Sequence, residues 1–241
     1  MKAQLSGRTV LVIGGSSGIG LETARLARNE GAEVILTARD ADRLRGFGLE
    51  LGARVAAFDA TDFERLASFF EELPTPVDHV LVTGPGPYYA PLAEFDLEKA
   101  RRDVEAHLLL PLQVARNAIG KVRPGGTLLF MGGTGARRAA PGLSFIAALG
   151  AGLPALTKNL ALELAPIRVN LIAAGFVDTP LSAALLGDGL DARREQLRVT
   201  LPIRRVVGPD DIAALALHLM TNTAVTGATF DIDGGQQLVE G

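Results

Sequence analysis

The segment Val10-Leu-Val-Ile-Gly-Gly-Ser-Ser-Gly-Ile-Gly20 decides the fold of this chain. Its first four residues form a short apolar run rich in β-branched side chains, which is typical of a strand buried on both faces. Glycines then stand at positions 14, 15, 18 and 20, and residues 21–30 have the composition of a helix. Glycines let the backbone approach a pyrophosphate, whose charge the amide groups of the helix start can receive. The segment therefore predicts a dinucleotide-binding unit, although a glycine turn that only packs a helix on a sheet has the same pattern.

Composition limits the classes of protein to which the chain can belong. It has 241 residues, of which 48% are hydrophobic and 21% charged, which is enough for a large core in a single α/β domain spanning residues 1–241. The net charge of −3 offers no basic field for nucleic acid. The absence of cysteine excludes disulfides and thiolate ligands, and we predict no metal site. Residues 1–8 lack the apolar core of a signal peptide and no apolar run reaches the ~18 residues of a membrane span, so we expect a cytoplasmic protein without a membrane partner.

Strand and helix patterns alternate along the rest of the chain. The predicted strands cover residues 10–13, 33–37, 54–58, 79–82, 126–131, 167–173 and 228–232. The predicted helices cover residues 21–30, 40–45, 61–73, 96–121, 143–164 and 209–220, with Thr61 and Asp96 as caps and Pro74 and Pro76 ending the third helix. Alternation of this kind implies parallel strands joined by right-handed crossovers. We predict a Rossmann-type doubly wound α/β sheet of about seven strands, with helices on both faces and the ligand at the carboxyl ends of the strands.

The end of the second predicted strand indicates which nucleotide is bound. A carboxylate there would bind the ribose 2′-hydroxyl of NAD, whereas an arginine suits the 2′-phosphate of NADP. The chain reads Thr37-Ala38-Arg39 at this point, so we predict that NADP(H) is favoured over NAD(H). Asp40 and Asp42 could each pair with Arg39 instead, in which case Arg39 is only a solvated loop charge.

At this point the sequence resembles the short-chain dehydrogenase/reductase family over nearly its whole length. The matching segments are residues 14–20, 59–62, 167–170, 174–179, 202–213, 226–227 and 231–235. The resemblance implies hydride transfer between a nicotinamide and a carbonyl or alcohol of a small-molecule substrate, which the sequence does not identify. It assigns cofactor contacts to Gly14, Ser16, Ser17, Gly18, Ile19, Gly20, Ala38, Arg39, Asp59, Ala60, Thr83, Gly84, Gly175, Val177 and Thr179.

The chain departs from this family at its catalytic positions. Members of the family use a tyrosine as proton donor, a lysine four residues later, a serine and an asparagine. Those positions here are occupied by Ile146, Gly150, Gly133 and His107, respectively. A tyrosine followed by lysine at that spacing occurs nowhere in the chain. We therefore assign no catalytic residue.

Residues 146–154 are unusual for a helix. Gly150, Gly152 and Pro154 lie where the family has one long helix. An interior glycine costs ~1 kcal/mol and an interior proline ~3 kcal/mol. The sequence thus predicts that the helix is kinked here or that it begins near Leu153.

Three side chains could replace the lost proton donor. His107 could shuttle protons near neutral pH, or it could be an ordinary helix residue. Tyr88 and Tyr89 follow the fourth strand and could reach a substrate, or they could pack in a lid over the pocket.

Two arginines and two histidines elsewhere in the chain also have predicted roles. Arg137 and Arg138, after the fifth strand, could attract an anionic substrate or be a solvated pair. His79 and His218 are interpreted as structural residues.

Three functions remain open. The chain could be an NADP(H)-linked oxidoreductase that uses other proton donors, a non-catalytic NADP(H)-binding sensor or scaffold, or an enzyme whose reaction needs no acid. The helices predicted at 96–121 and 143–164 are apolar on more than one face. Because the corresponding helices pair across a two-fold axis in the family, we also expect a homodimer or homotetramer.

Overall fold

Seven parallel strands form one sheet in the order β3-β2-β1-β4-β5-β6-β7. The computed structural model describes residues 4–73 and 76–239. The strands are β1 (Thr9–Ile13), β2 (Glu33–Ala38), β3 (Arg54–Ala57), β4 (Val77–Val82), β5 (Val122–Gly133), β6 (Arg168–Ala174) and β7 (Thr229–Ile232). The predicted doubly wound α/β fold is confirmed. Strand order reverses at β1, which lies between β2 and β4, so a crevice opens at the carboxyl ends of these strands.

Helices cover both faces of the sheet. They are α1 (Gly18–Asn29), α2 (Ala41–Leu51), α3 (Phe63–Glu72), α4 (Leu97–Val104), α5 (Leu110–Ala118), α6 (Ser144–Glu163), α7 (Pro180–Leu186), α8 (Leu190–Thr200) and α9 (Pro209–Thr221). Helix α2 continues to Leu51 rather than ending at Arg45, and α7 and α8 were not predicted. The cap of α3 is Asp62 rather than Thr61, because its carboxylate accepts a hydrogen bond from the amide of Arg65 at 3.0 Å. Pro74 and residues 1–3 of the N-terminal segment lie outside the described residues.

Strand β1 is buried on both faces, as its apolar run predicts. Leu11 and Ile13 pack into one apolar layer together with Phe70, whereas Val10 and Val12 pack into the opposite layer. Alternate residues of a strand point to opposite faces of the sheet, so an unbroken apolar run supplies both layers. The glycine turn that follows β1 is therefore held on a rigid strand.

The long helix predicted over residues 96–121 is divided into three parts. Asp96 caps α4 as predicted, since its carboxylate accepts hydrogen bonds from the amides of Glu98 and Lys99 at 2.9 and 3.1 Å. A five-residue π segment, Glu105–Leu109, then separates α4 from α5. Such π segments are rare in proteins, and those that occur often lie at functional sites. His107 lies within it.

Helix α6 begins at Ser144 and runs through Pro154, so of the two predicted alternatives the helix start near Leu153 is wrong. A proline ring clashes with the carbonyl of the residue four positions earlier, which here is Gly150. Outside the backbone of α6 itself, no described heavy atom lies within 4 Å of where a Cβ at Gly150 would be, so this turn of the helix is not crowded by other elements. Burial of Leu153 and Leu160 in the core offsets the cost of the proline.

Helix α6 also corrects the expectation that no segment is long and apolar enough to span a membrane. It has 20 residues and a mean hydropathy of 1.4 over its most apolar window. By length and composition alone it could cross a membrane, a test that core helices of globular proteins also pass. In this structure 28% of that window is buried, and Leu162 is 80% exposed.

Candidate nucleotide-binding and catalytic site

A groove of about 840 Å³ lies at the carboxyl ends of the central strands. Most of the sequence-predicted cofactor residues line it, namely Gly14, Ser16, Ser17, Gly18, Ile19, Gly20, Ala38, Arg39, Asp59, Ala60, Thr83, Gly84 and Thr179. Gly175 and Val177 do not line it. A Cβ at Gly175 would lie 2.6 Å from the Asp233 side chain, and Val177 is buried in a bridge to Val207. The groove also includes residues that the sequence did not single out for the cofactor, among them Arg43, Pro85, Gly86, Arg102 and Asp103.

The glycine turn needs its glycines for steric reasons. Gly14 has a φ of +87°, and a Cβ at Gly14 would lie 2.2 Å from the Thr83 hydroxyl. A Cβ at Gly20 would lie 2.4 Å from the Gly14 carbonyl oxygen. The Thr83 hydroxyl donates to the carbonyls of Ile13 and Gly14, at 3.0 and 3.1 Å, and so fastens the turn to the end of β4. These contacts hold the glycine turn in a conformation in which its backbone can approach a pyrophosphate closely.

The start of α1 leaves its amide groups available for an anion. Ser17 is at the cap position, but its side chain makes no capping hydrogen bond, and the first turn of α1 contains no acidic residue. Among the described residues, then, no side chain satisfies these amides. A helix start in this state is a binding site for phosphate oxygens.

Arg39 follows β2 and lines the groove, where neither Asp40 nor Asp42 pairs with it. Asp40 caps α2 and lies 3.8 Å from Arg43, and Asp42 lies 3.1 Å from Arg45. Arg39 forms no ion pair with any residue that the structure describes. Both acids that the sequence offered as partners for Arg39 are therefore paired with other arginines.

Asp59 organises the loop that follows β3. Its carboxylate accepts hydrogen bonds from the amide and the hydroxyl of Thr61, at 3.0 and 2.7 Å. Partial burial raises the pKa of Asp59, but these bonds and the charge of Arg39 outweigh it and lower the pKa below its usual value. Asp59 is thus a charged group that fixes the turn beside Ala60.

The family's serine and lysine positions are sterically open. The nearest described atom to a Cβ at Gly133 would be the carbonyl oxygen of Ala174, at 3.8 Å. Thr134, next to Gly133, directs its buried hydroxyl to Asp233, at 3.4 Å. Ile146 is buried and has no ionisable group. We name Gly133, Ile146 and Gly150 together the vacated corner, because none of them can donate a proton or a side-chain hydrogen bond.

Tyr88 has a packing role. Its hydroxyl accepts a hydrogen bond from the amide of Asp96 at 2.7 Å and donates to the carbonyl of Glu94 at 3.4 Å. Its ring packs against Phe95 and Phe145, with centroids 6.0 and 6.3 Å apart. This arrangement supports the lid interpretation of Tyr88 and leaves its hydroxyl occupied.

Tyr89 is half exposed, and burial followed by the charge of Asp103 raises its pKa. Its phenol therefore stays protonated at neutral pH. Of the two tyrosines, it is the one whose hydroxyl is free of hydrogen bonds to other described residues.

His107 lies between the Asp103 side chain and the loop that follows β4. Its Nδ1 is 3.1 Å from the Asp103 carboxylate and 3.1 Å from the Asp103 carbonyl oxygen. Its Nε2 is 3.2 Å from the carbonyl oxygen of Pro85, and the ring is beside Gly84. Burial disfavours the charged form, but Asp103 and the Pro85 carbonyl outweigh it and raise the pKa of His107 above its usual value.

Arg137 and Arg138 contact the C-terminal segment of the chain. Arg137 forms two hydrogen bonds to Asp231, at 2.5 and 2.7 Å, and its side chain stays 41% exposed. Arg138 donates to the carbonyls of Gln237 and Val239. The sequence did not predict these contacts, and the two interpretations of the arginines, as a solvated pair or as an attraction for an anionic substrate, stay predictions.

Comparisons with known proteins agree with this geometry. Residues 13–237 match a family model described as enoyl-(acyl carrier protein) reductase. Dehydrogenase/reductase SDR family member 4 of Sus scrofa is 32% identical over 247 residues, which cover 96% of this chain and 88% of that protein.

Solved structures give the same result. MalC reductase/Diels–Alderase from Malbranchea aurantiaca superposes with a TM-score of 0.90 at 25% identity, covering 98% of this chain and 99% of that one. BdcA in complex with NADPH superposes with a TM-score of 0.85 at 26% identity, over 96% and 95% of the two chains. The chain is therefore a member of the short-chain dehydrogenase/reductase family of oxidoreductases.

Proposed function

We propose that this protein binds NADP(H) in the groove and transfers hydride without the family's tyrosine mechanism. The observation that carries the proposal is Arg39, a cation that lines the groove and forms no ion pair with a described residue, while Asp40 and Asp42 are paired with other arginines. The uncapped start of α1 provides a site for the pyrophosphate. BdcA, a structural relative, is described in complex with NADPH, which supports the same ligand here.

We expect Arg39→Ala to weaken NADPH binding at least about tenfold and to leave NADH binding unchanged. A charge-assisted hydrogen bond to phosphate is worth roughly 1.5–3 kcal/mol, and only NADPH has the 2′-phosphate. Calorimetric titration of both nucleotides measures the effect. Arg45→Ala is the matched control, because Arg45 pairs with Asp42 on the surface and does not line the groove. Equal affinities of the wild type for the two nucleotides would refute the preference.

The proposed reaction differs from that of the family in its source of protons. Hydride can leave NADPH only if the acceptor carbon is electrophilic enough without a proton donor at Ile146, or if another group donates. Tyr89, which follows the groove-lining Tyr88, and His107, which contacts the groove-lining Pro85, are two candidates for this donor. His107 must first leave the Pro85 carbonyl. The hydride acceptor is a small molecule with a carbonyl group, and the reverse reaction would use the corresponding alcohol.

A non-catalytic NADP(H) sensor or scaffold is the second candidate, and the vacated corner favours it. NADPH and NADH titration followed by stopped-flow mixing with a panel of carbonyl compounds separates the two functions. Binding without any oxidation of NADPH would support the sensor, whereas substrate-dependent oxidation would support the oxidoreductase.

A reaction that needs no acid is the third candidate. MalC, which has the same fold, is named a Diels–Alderase as well as a reductase. A cycloaddition forms carbon–carbon bonds without proton transfer, so it makes no demand on the residues that are missing at the vacated corner.

We further propose that the chain forms a homodimer or homotetramer through α6 and the helices α4 and α5. Leu162 on α6 is 80% exposed, and Leu109 and Leu112 are each 37% exposed. We expect Leu162→Lys to shift micromolar protein toward monomer in light scattering, because a charge would then be buried in the contact. Leu49→Lys, at an equally exposed leucine on α2, is the control that should not change the mass. A monomeric wild type would rule out this assembly.

A further inference from the structure

The chemistry of the partners of His107 fixes its protonation state. A carboxylate and a backbone carbonyl can only accept hydrogen bonds. The Nδ1 atom faces both acceptor types of Asp103 at 3.1 Å, and the Nε2 atom faces the Pro85 carbonyl at 3.2 Å. Both ring nitrogens must therefore carry hydrogen for this geometry to be satisfied, which makes the ring an imidazolium cation.

Asp103 of α4 makes a second contact to the loop that follows β4, in addition to the contact of His107 with Pro85. Its carboxylate is 5% exposed and accepts a hydrogen bond from the amide of Tyr88 at 3.3 Å. The loop is thus held at Pro85 by His107 and at Tyr88 by Asp103. Between these two points lies Gly86, which lines the groove and whose missing Cβ would be 3.0 Å from Leu181 on α7.

We infer that His107 is a positioning residue, held by Asp103 as an imidazolium cation that fixes residues 84–88 as one wall of the nucleotide groove. Release of either nitrogen's proton would break one of the ring's hydrogen bonds and loosen this wall. The expected effect on nucleotide affinity rests on the proposed function, whereas the protonation state of the ring does not.

The charges around His107 come from few groups. On its own helix, the charged residues within five positions of His107 are the buried Asp103 and the exposed Arg102 and Glu105, of which Asp103 contacts the ring. The loop contributes the phenols of Tyr88 and Tyr89, and the raised pKa of Tyr89 keeps that phenol neutral at physiological pH. Helix α6, which packs against the π segment, has no charged residue before Lys158. The carboxylate of Asp103 is accordingly the charge that acts on the ring.

The direction of the pH effect follows. Because the folded-state pKa of His107 is raised, the contact to Pro85 is complete at pH values below the ordinary histidine pKa of 6.5 and is lost as the pH rises through the higher value. Nucleotide binding should therefore weaken with rising pH.

Ring-nitrogen NMR of the free protein, with ¹⁵N-labelled histidine, tests the protonation state. We expect both nitrogens of His107 to be protonated at pH 6 and to titrate with a midpoint above 6.5, with the resonances assigned by their absence in His107→Asn. Asp103→Asn, which keeps the shape of the side chain and removes its charge, should move the midpoint toward more acidic pH. A neutral ring at pH 6, or a midpoint unchanged by Asp103→Asn, would overturn the inference.

Two further measurements test the positioning role. Amide hydrogen exchange at Tyr88 should be faster in Asp103→Asn and His107→Asn than in the wild type, and this needs no nucleotide. The Kd of NADH, which has no 2′-phosphate to titrate, should rise about tenfold between pH 6 and 9 in the wild type and stay flat in His107→Asn. His218→Asn is the matched control, because His218 is exposed on α9 and bonds only locally to Asn222.

These outcomes separate the two proposals. If neither nucleotide binds, the proposed function fails, while ring titration and Tyr88 exchange still decide the role of His107. If nucleotide binds and its pH profile persists in His107→Asn, or if Tyr88 exchange is unchanged in both variants, the positioning role is wrong. Thermal unfolding of each variant verifies that it is folded at the pH values used.

Discussion

Restoring the family's catalytic groups at the vacated corner is expected to raise carbonyl reductase activity well above that of the wild type. The variant is Gly133→Ser, Ile146→Tyr and Gly150→Lys combined, and the readout is NADPH oxidation with simple ketones and aldehydes. A general acid contributes ~10²–10⁴-fold to the rate, and a donor to the developing oxyanion contributes ~2.7–4 kcal/mol. We therefore expect at least about a 10²-fold increase over wild type.

The structure leaves room for two of the three substitutions. A Cβ at Gly133 would meet nothing closer than 3.8 Å, and one at Gly150 would meet no described atom within 4 Å outside its own helix backbone. Ile146 is buried, so the tyrosine there requires its neighbours to shift, and thermal unfolding of the variant verifies that it is folded. Residues 146 and 150 are four apart in the continuous helix α6, so a tyrosine and a lysine there would lie on one face. The matched control moves the lysine to Gly152, which is equally open but six residues from position 146.

Two outcomes would contradict the interpretation of the vacated corner. Equal activity in the variants with lysine at 150 and at 152 would show that the gain does not come from the family's arrangement. Robust turnover by the wild type, unaffected by His107→Ala, Tyr88→Phe and Tyr89→Phe, would show that the active site lies elsewhere.

Acidification is expected to destabilise the protein through His79, a buried histidine of β4. Its side chain is 6% exposed, and its Nδ1 has no hydrogen-bond partner among the described residues. Burial lowers the pKa of His79 to about 4, although the neighbouring Asp78 opposes this, and Arg168 and Arg8 add to it. The folded protein therefore resists protonation that the unfolded chain, with a pKa of 6.5, accepts readily.

The sign and size of the effect follow from this difference. The contribution of His79 to the free energy of unfolding is highest above pH 6.5. It falls as the pH drops toward 4, because the unfolded state binds the proton first. Each tenfold change in proton affinity is worth ~1.4 kcal/mol, so His79 alone accounts for up to about 3 kcal/mol across this range.

Urea unfolding at pH 7.5 and pH 5 measures this contribution. His79→Gln should lose less stability between the two pH values than the wild type, whereas the exposed-site control His218→Gln should behave as the wild type does. If the wild type and His79→Gln lose the same amount of stability between the two pH values, other groups cause the acid sensitivity.

The sequence predicts the parts of this molecule that depend on local patterns. The apolar run 10–13 and the glycines after it determine both β1 and the turn, because strand burial and positive φ are properties of single residues and their neighbours. The sequence also shows that no carboxylate stands at the end of β2, because Ala38 and Arg39 occupy those two positions. These features place the groove and most of its lining.

Long-range contacts account for what the sequence did not predict. Arg137 and Asp231 are 94 residues apart, and no local signal in either segment shows that they pair. The continuity of α6 through Pro154 depends on the core beneath Leu153, which only the folded chain supplies. The apolar periodicity of residues 96–121 predicts one continuous helix and gives no indication of the π segment that contains His107.

The pairing of Arg137 with Asp231 has a consequence for the segment that follows β5. Asp231 belongs to β7, the last strand of the sheet, so the carboxylate that pairs with Arg137 is part of the protein's own framework. The ion pair therefore ties residues 135–137 to the edge strand of the sheet. Removing either partner would release this tie and leave the other side chain as an unpaired surface charge.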